Sequence, residues 1–97
     1  MRVIARKTLK EFWEREPAAE AQLKAWFAEA EEADWKRPAD VKAKYRNASI
    51  VKNERAVFNI CGNKYRLVTR INYRFRVVYI RFVGTHAEYD AVDVEGI

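Results

Sequence analysis

The sequence predicts an α+β protein in which an N-terminal strand and two to three helices pack on one face of a curved antiparallel β-sheet. Two patterns support this prediction. In the first half of the chain, apolar side chains recur at spacings of three and four, as in helices with one buried face. From Ala48 onward they alternate with polar residues, as in strands. At 97 residues the chain is long enough for one core, so we expect a single domain spanning residues 1–97.

The first half is expected to hold one short strand and the helices. Met1 to Ala5 predicts the strand. Thr8 and Glu11 have the spacing of a capping box, in which two side chains bind free backbone amides at a helix start, so we expect the first helix to begin at Thr8. A second helix is expected from about Pro17 to Ala33, and one or two further turns from Pro38. The apolar stripe of the second helix, which we expect to be core, comprises Ala19, Leu23, Trp26, Phe27 and Ala30.

Three strands and two tight turns are predicted in the second half. Gly62-Asn63 is a two-residue sequence that favours a hairpin turn. A turn there places Asn59 opposite Arg66, and residues opposite each other across a hairpin share a face of the sheet. If one of two opposite side chains is expected to be exposed to solvent, the other is therefore expected to be exposed as well.

The second hairpin is predicted to turn at Arg74-Phe75. This turn places Ile71 opposite Val78 and Val68 opposite Arg81. Both loops have an even number of residues, so the two faces of the sheet can be followed across all three strands.

The two faces differ in character. The face expected to pack against the helices carries Phe58, Ile60, Tyr65, Leu67, Ile71, Tyr73, Val78, Ile80 and Phe82. The face expected to be open to solvent carries Asn59, Lys64, Arg66, Arg70, Asn72, Tyr79 and Arg81. Like charges on neighbouring strands repel one another, and an anionic ligand would relieve that repulsion.

Charge is distributed unevenly along the chain. The net charge is +5, from 19 basic and 14 acidic residues. Residues 41 to 87 contain eleven lysines and arginines against Glu54 alone, which is +10. A basic segment of this kind is typical of a phosphate-binding surface, although a solvated sheet face is the alternative.

Several classes of protein are disfavoured by the sequence. No apolar run is long enough to span a bilayer, and the N-terminus lacks the apolar stretch of a secretory signal, so we expect a cytoplasmic protein without membrane contact. Cys61 is the only cysteine and cannot form an internal disulfide. One histidine and one cysteine do not make a zinc site of the usual composition, so we expect neither a metal nor a cofactor.

A group of residues suited to RNA cleavage is predicted at one end of the sheet. Gly84 is expected to end the last strand, so that His86 and Tyr89 emerge at the rim of the arginine-bearing face, close to Arg66. Cleavage without metal needs a base for the ribose 2′-hydroxyl, cations for the phosphorane and an acid for the leaving 5′-oxygen. Imidazole suits the proton transfers and the planar guanidinium suits two phosphorane oxygens.

The predicted catalytic residues are therefore Arg66, His86 and Tyr89. The residues predicted to bind RNA are Asn59, Asn63, Lys64, Arg70 and Arg81. Simpler roles are open for several of them. His86 could cap the strand end through a backbone hydrogen bond, Asn63 could serve the turn alone, and Tyr89 could pack the C-terminal segment onto the sheet.

Four blocks in the second half carry a family resemblance: Phe58-Asn59-Ile60, Gly62-Asn63-Lys64-Tyr65-Arg66, Tyr79-Ile80-Arg81 and Gly84-Thr85-His86-Ala87-Glu88-Tyr89-Asp90. With these blocks the chain resembles, over its whole length, the HigB toxin family, a branch of the RelE-like superfamily. The resemblance implies helices on one side of the sheet and RNA on the other. It supports Arg66, His86 and Tyr89 most strongly as site residues.

The same resemblance implies a function and partners. It implies a type II toxin that cleaves mRNA, generally on the translating ribosome, and is neutralised by a cognate HigA-like antitoxin protein. The basic segment is then expected to contact 16S rRNA as well as the message. Two alternatives remain at this point: a toxin of the same fold that inhibits gyrase without nuclease activity, and an RNA-binding module without catalysis.

Overall fold

A computed structural model describes residues 1–97, which form a five-stranded sheet and four helices. The strands are β1 (Arg2–Ile4), β2 (Ser49–Val51), β3 (Arg55–Ile60), β4 (Tyr65–Asn72) and β5 (Val77–Thr85). The helices are α1 (Arg6–Arg15), α2 (Glu20–Glu32), α3 (Pro38–Lys44) and α4 (His86–Asp90), with a 3-10 turn at Pro17–Ala19 before α2. The α+β class is confirmed, as are the first strand and the helices after Pro17 and Pro38. None of the helices combines the length and the apolar character needed to cross a membrane.

The sheet has the strand order β1-β5-β4-β3-β2 and is mixed. β1 runs parallel to β5, with Arg2 opposite Val77, whereas the other neighbouring strands are antiparallel. The prediction of three strands in the second half is wrong by one, because β2 pairs with β3 from Ser49 to Val51. β2 has only three residues, too few for apolar alternation to distinguish a strand.

The start of α1 differs from the prediction. The helix begins at Arg6, because Ala5 adopts a left-handed conformation (φ 77°) that turns the chain directly out of β1. Thr8 lies inside the first turn, where its backbone N–H donates to Ala5 O at 3.0 Å. The predicted Thr8 capping box is therefore wrong. The same Thr-x-x-Glu spacing occurs at Thr85 and Glu88, and there the capping box does form.

The core lies between the sheet and the helices α1, α2 and α3. Phe58 is at its aromatic centre, with ring centroids 5.3 Å from Trp26, 5.2 Å from Tyr45 and 6.2 Å from Trp35. Trp26 is only 2% exposed, so its prediction as core is confirmed. The helix-facing side of the sheet contributes Ala56, Phe58, Ile60, Tyr65, Leu67, Ile71, Val78, Ile80 and Val83.

The hairpin registers are largely as predicted. Asn59 lies opposite Arg66 across the first hairpin, and Ile71 lies opposite Val78 across the second. Val68, however, lies opposite Phe82 rather than Arg81, because the register shifts between Val68 and Thr69. A β-bulge thus gives β5 one residue more than β4 has, which counting from the turn cannot detect.

The bulge changes the two faces beyond it. Val83, not Phe82, lies opposite Leu67 and joins the core, so the prediction of Phe82 as core is wrong. Gly84 does not end the strand, which continues to Thr85. Gly84 instead leaves room for the ring of Phe82, since a Cβ there would lie 2.5 Å from that ring.

Replacing Phe58 with alanine should lower the free energy of unfolding by roughly 3 to 5 kcal/mol, since it would empty the centre of the aromatic cluster. The measurement is urea denaturation followed by circular dichroism. Phe75→Ala is the matched control, because Phe75 is 68% exposed. Equal losses in the two variants would contradict the assignment of the core face.

Candidate active site

A capping box holds the helix that follows the last strand. The Thr85 hydroxyl accepts from the Glu88 backbone N–H at 3.2 Å, and the Glu88 carboxylate accepts from the Thr85 N–H at 2.9 Å. α4 has only five residues, too few to be stable without such contacts. The cap therefore fixes the direction in which α4 leaves β5.

A second contact ties α4 to the helical layer. The last residue of α1, Arg15, donates to Glu88 Oε1 at 3.0 Å. The backbone hydrogen bond from Thr85, followed by the one from Arg15, holds the pKa of Glu88 below its ordinary value of about 4.5. Gly84 contributes space, because a Cβ there would lie 3.1 Å from the same carboxylate oxygen.

His86 is the first residue of α4. Its backbone N–H donates to Lys64 O at 3.1 Å, so the backbone role considered for this residue is present. Its imidazole is also available, because the side chain is 54% exposed and Nε2 has no protein partner. Nδ1 lies 3.1 Å from Asp90 Oδ2. Asp90 was missed in the sequence, although its position four residues after a histidine in a helix would have indicated it.

Arg66 lies on the neighbouring strand. Its guanidinium donates to Asn63 O at 3.0 Å and to Asn63 Oδ1 at 3.3 Å. It also lies 5.8 Å from the centre of the Tyr89 ring. No carboxylate pairs with Arg66, so its charge is not neutralised within the protein. The structure thus brings Asn63, Arg66, Tyr89 and the α4 residue His86 to one end of the sheet.

Two of the remaining predicted residues flank this cluster. Asn59 lies opposite Arg66 and lines a cleft with Tyr45 and Phe58 beside the part of β3 that does not pair with β2. Lys64 binds His86 through its backbone oxygen, while its ammonium group lies 5.5 Å from the centre of the Tyr65 ring.

Two other predicted residues lie farther away. Arg70 is four positions beyond Arg66 on β4, about 13 Å along the strand, and donates to Glu54 Oε1 at 3.1 and 3.2 Å. Arg81 is the extra residue of the bulge and lies 5.3 Å from the centre of the Tyr79 ring. These two arginines are not part of the cluster around Arg66.

The sequence predicted that the face opposite the helices is open to solvent over its whole area. Part of this face is covered in the structure. Val57 and Val68 lie opposite each other on this side and are both buried. Arg55, two residues before Val57, donates to Ile97 O, and Asn53 donates to Glu95 O at 3.3 Å. The C-terminal segment therefore binds the start of β3 on this side, and Val57 and Val68 are buried, so the prediction of an open face is wrong there. The sequence did contain a sign of this, because Val57 and Val68 are both apolar and the predicted hairpin places them opposite each other on the face expected to be open.

Comparison with known proteins agrees with this fold. The HigB toxin family, described as the RelE-like toxic component of a toxin-antitoxin system, matches residues 19–92. The chain belongs to the HigB toxin family. It is 33% identical over 92 residues to the mRNA interferase toxin HigB of Escherichia coli K12, a match that covers 93% of this chain and 88% of the relative. The mRNA interferase HigB of Shigella flexneri matches to the same extent, and that of Escherichia coli O6:H1 is 24% identical over 92 residues.

The contacts of Glu88 predict how this end of the HigB fold depends on pH. Because the pKa of Glu88 is depressed in the folded protein, its stabilising effect is present above pH about 4.5 and is lost as pH falls through the lowered pKa. Arg15→Met should raise this pKa only part of the way to its ordinary value, since the Thr85 backbone bond remains. The measurement is an NMR titration of the Glu88 carboxyl carbon.

Lys7→Met is the control for this titration. Lys7 is on the same helix and pairs with Glu11 at 3.6 Å, so its loss removes the same charge without touching Glu88. A Glu88 pKa that is the same in wild type and Arg15→Met would show that the α1–α4 ion pair does not operate in solution.

Proposed function

We propose that this member of the HigB toxin family is an endoribonuclease that cleaves mRNA by attack of a ribose 2′-hydroxyl on the adjacent phosphate. The proposal rests mainly on Arg66, which has no carboxylate partner and is held by Asn63 close to the ring of Tyr89. The exposed His86 lies about one helical turn before Tyr89 on α4. The relatives named as mRNA interferases support mRNA as the substrate.

The proposed reaction needs no metal, because three side chains supply its parts. His86 Nε2 takes the proton of the 2′-hydroxyl, with Asp90 fixing the imidazole through Nδ1. The 2′-oxygen then bonds to phosphorus, and the guanidinium of Arg66 stabilises the charge on the non-bridging oxygens.

The bond from phosphorus to the 5′-oxygen breaks last. Tyr89, whose ring centre lies 5.8 Å from the Arg66 guanidinium, gives its hydroxyl proton to that oxygen. Asn63 positions Arg66 rather than the RNA. Asn59, Lys64 and Arg81 are proposed to bind the RNA on either side of the cleaved bond. Arg70 is a weaker candidate, because Glu54 already neutralises it.

Two partners follow from membership of the family. A toxic component of a toxin-antitoxin system requires a cognate antitoxin, and we propose that an acidic, HigA-like antitoxin segment covers Arg66 and its neighbours. We also propose that cleavage takes place on the ribosome during translation, where the basic surface of residues 41 to 87 contacts 16S rRNA.

Arg66→Ala should lower the cleavage rate by about two to four orders of magnitude, because it removes the cation from the phosphorane. His86→Ala should cause a similar loss, since it removes the base. The measurement is the mapping of transcript 5′ ends in cells after brief expression, with and without a block of translation. Arg37→Ala is the control for charge, because Arg37 is exposed and lies outside the cluster.

Each result of this experiment has a distinct meaning. Cuts that vanish in both site variants and persist in Arg37→Ala would support the proposed site. Cuts that persist in both site variants would contradict it. Growth arrest without any new 5′ end would contradict nuclease activity altogether.

A further inference from the structure

Arginine side chains lie over aromatic rings at three places along the β4–β5 hairpin. Arg66 lies 5.8 Å from the centre of the Tyr89 ring at the candidate site. Farther along, Arg81 lies 5.3 Å from the Tyr79 ring, and at the turn Arg74 lies 5.4 Å from the Phe75 ring. All three rings are at least partly accessible, unlike Phe12, Trp13 and Tyr65, over which cations also lie on the helical side.

Phe75 is the most exposed large apolar residue of the chain, at 68%. The turn that carries it is nevertheless fixed on both sides. Phe75 N–H donates to Asn72 Oδ1 at 3.0 Å, and Arg76, the next residue, pairs with Asp34 at 3.0 Å. Arg76 O also accepts from Arg2 N–H at 2.8 Å. The hydrogen bonds and the ion pair of the turn therefore hold the backbone of Phe75 while its ring stays exposed to solvent. A residue held in this way loses little conformational entropy when it binds a partner.

The middle pair lies on the same side of the sheet as the candidate site. Tyr79 is opposite Arg70 on β4, and Arg70 and Arg66 share a face because four residues separate them on one strand. Arg2 lies on this face as well, opposite Val77, and adds a further positive charge. The contacts of the C-terminal segment are made at Asn53 and Arg55, near β3 at the other side of β4. On β5 the side chain of Arg81 is exposed and that of Tyr79 is partly exposed.

We propose that the three pairs, Arg66–Tyr89, Arg81–Tyr79 and Arg74–Phe75, form a track that binds single-stranded RNA from the cleaved bond to the tip of the hairpin. Bases stack on exposed aromatic rings regardless of sequence, while the neighbouring cations bind the phosphates. From Arg66 to the end of β4 the strand rises about 20 Å, so the track is long enough to contact several nucleotides.

The pairing of each ring with a cation favours RNA over a protein partner. An apolar protein surface that covered Phe75 would also have to bury the guanidinium of Arg74, which is unfavourable without a matching anion. RNA supplies a ring and a phosphate in every nucleotide. The inference rests on the proposed function for its choice of substrate, and it adds an RNA-binding region outside the cluster around His86.

Binding of a 20-nucleotide 2′-O-methyl RNA to the full chain tests the track. This RNA lacks the attacking hydroxyl, so fluorescence anisotropy at fixed salt reports binding without cleavage. Phe75→Ala should weaken binding by about 5- to 100-fold, as expected for the loss of one base-stacking ring. Phe75→Trp should bind at least as tightly as wild type, and Tyr79→Phe should bind as wild type whereas Tyr79→Ala should not.

Two controls give the result its meaning. Phe75→Leu keeps an apolar side chain without a π face, so stacking predicts weak binding for it. Ile50→Ala removes the other exposed large apolar side chain, on the edge strand β2, and should leave binding unchanged. Unchanged binding in Phe75→Ala would overturn the track, and so would full binding by Phe75→Leu, because an apolar side chain without a ring to stack on a base would then be sufficient.

The outcome is independent of nuclease activity. A chain that cuts no message but binds this RNA through Phe75 would contradict the proposed function and keep the track. A chain that cuts mRNA but binds RNA equally well with and without Phe75 would refute the track alone.

Discussion

The reciprocal hydrogen bonds between Thr85 and Glu88 are the interaction on which the candidate site depends. Two residues of the site, His86 and Tyr89, lie on a five-residue helix that has no buried residue of its own. Without burial to stabilise it, that helix keeps its direction through its N-terminal cap, through the ion pair of Glu88 with Arg15 and through the backbone hydrogen bond from His86 to Lys64. The last residue of α1 and the turn before β4 therefore both hold the site in place.

The β-bulge in β5 determines which residues lie next to the N-terminal cap of α4. One extra residue before Phe82 turns Val83 into the core and places Gly84 opposite Arg66. The missing side chain at Gly84 then leaves space for the Phe82 ring and for the carboxylate of Glu88. A regular strand would have moved each of these residues to the other face of the sheet. Packing and site geometry thus depend on the same irregularity.

The features predictable from the sequence were those that local patterns encode. Gly62-Asn63 specified the first hairpin, and with it the pairing of Asn59 with Arg66, while the stripe through Trp26 specified the buried face of α2. The features that were missed depend on contacts between distant residues. The left-handed turn at Ala5, the bulge, and the hydrogen bonds of the C-terminal segment to Asn53 and Arg55 leave no period in the sequence. The Thr-x-x-Glu spacing occurs twice, and only tertiary structure decides which copy forms a cap.

The central claim is that the ribose 2′-hydroxyl attacks the phosphorus at a site at the end of β5. The chemical groups at the ends of the cleaved RNA test this claim most directly. RNA is cut by the purified chain, alone or on translating ribosomes. The measurement then asks whether the downstream fragments accept a 5′-phosphate and whether the upstream fragments end in a cyclic phosphate. The account predicts a 5′-hydroxyl and a 2′,3′-cyclic phosphate, and no cut where a 2′-deoxy nucleotide precedes the bond. A 5′-phosphate with a free 3′-hydroxyl would mean that water, not the ribose, attacks the phosphorus, and would contradict the roles given to His86 and Tyr89.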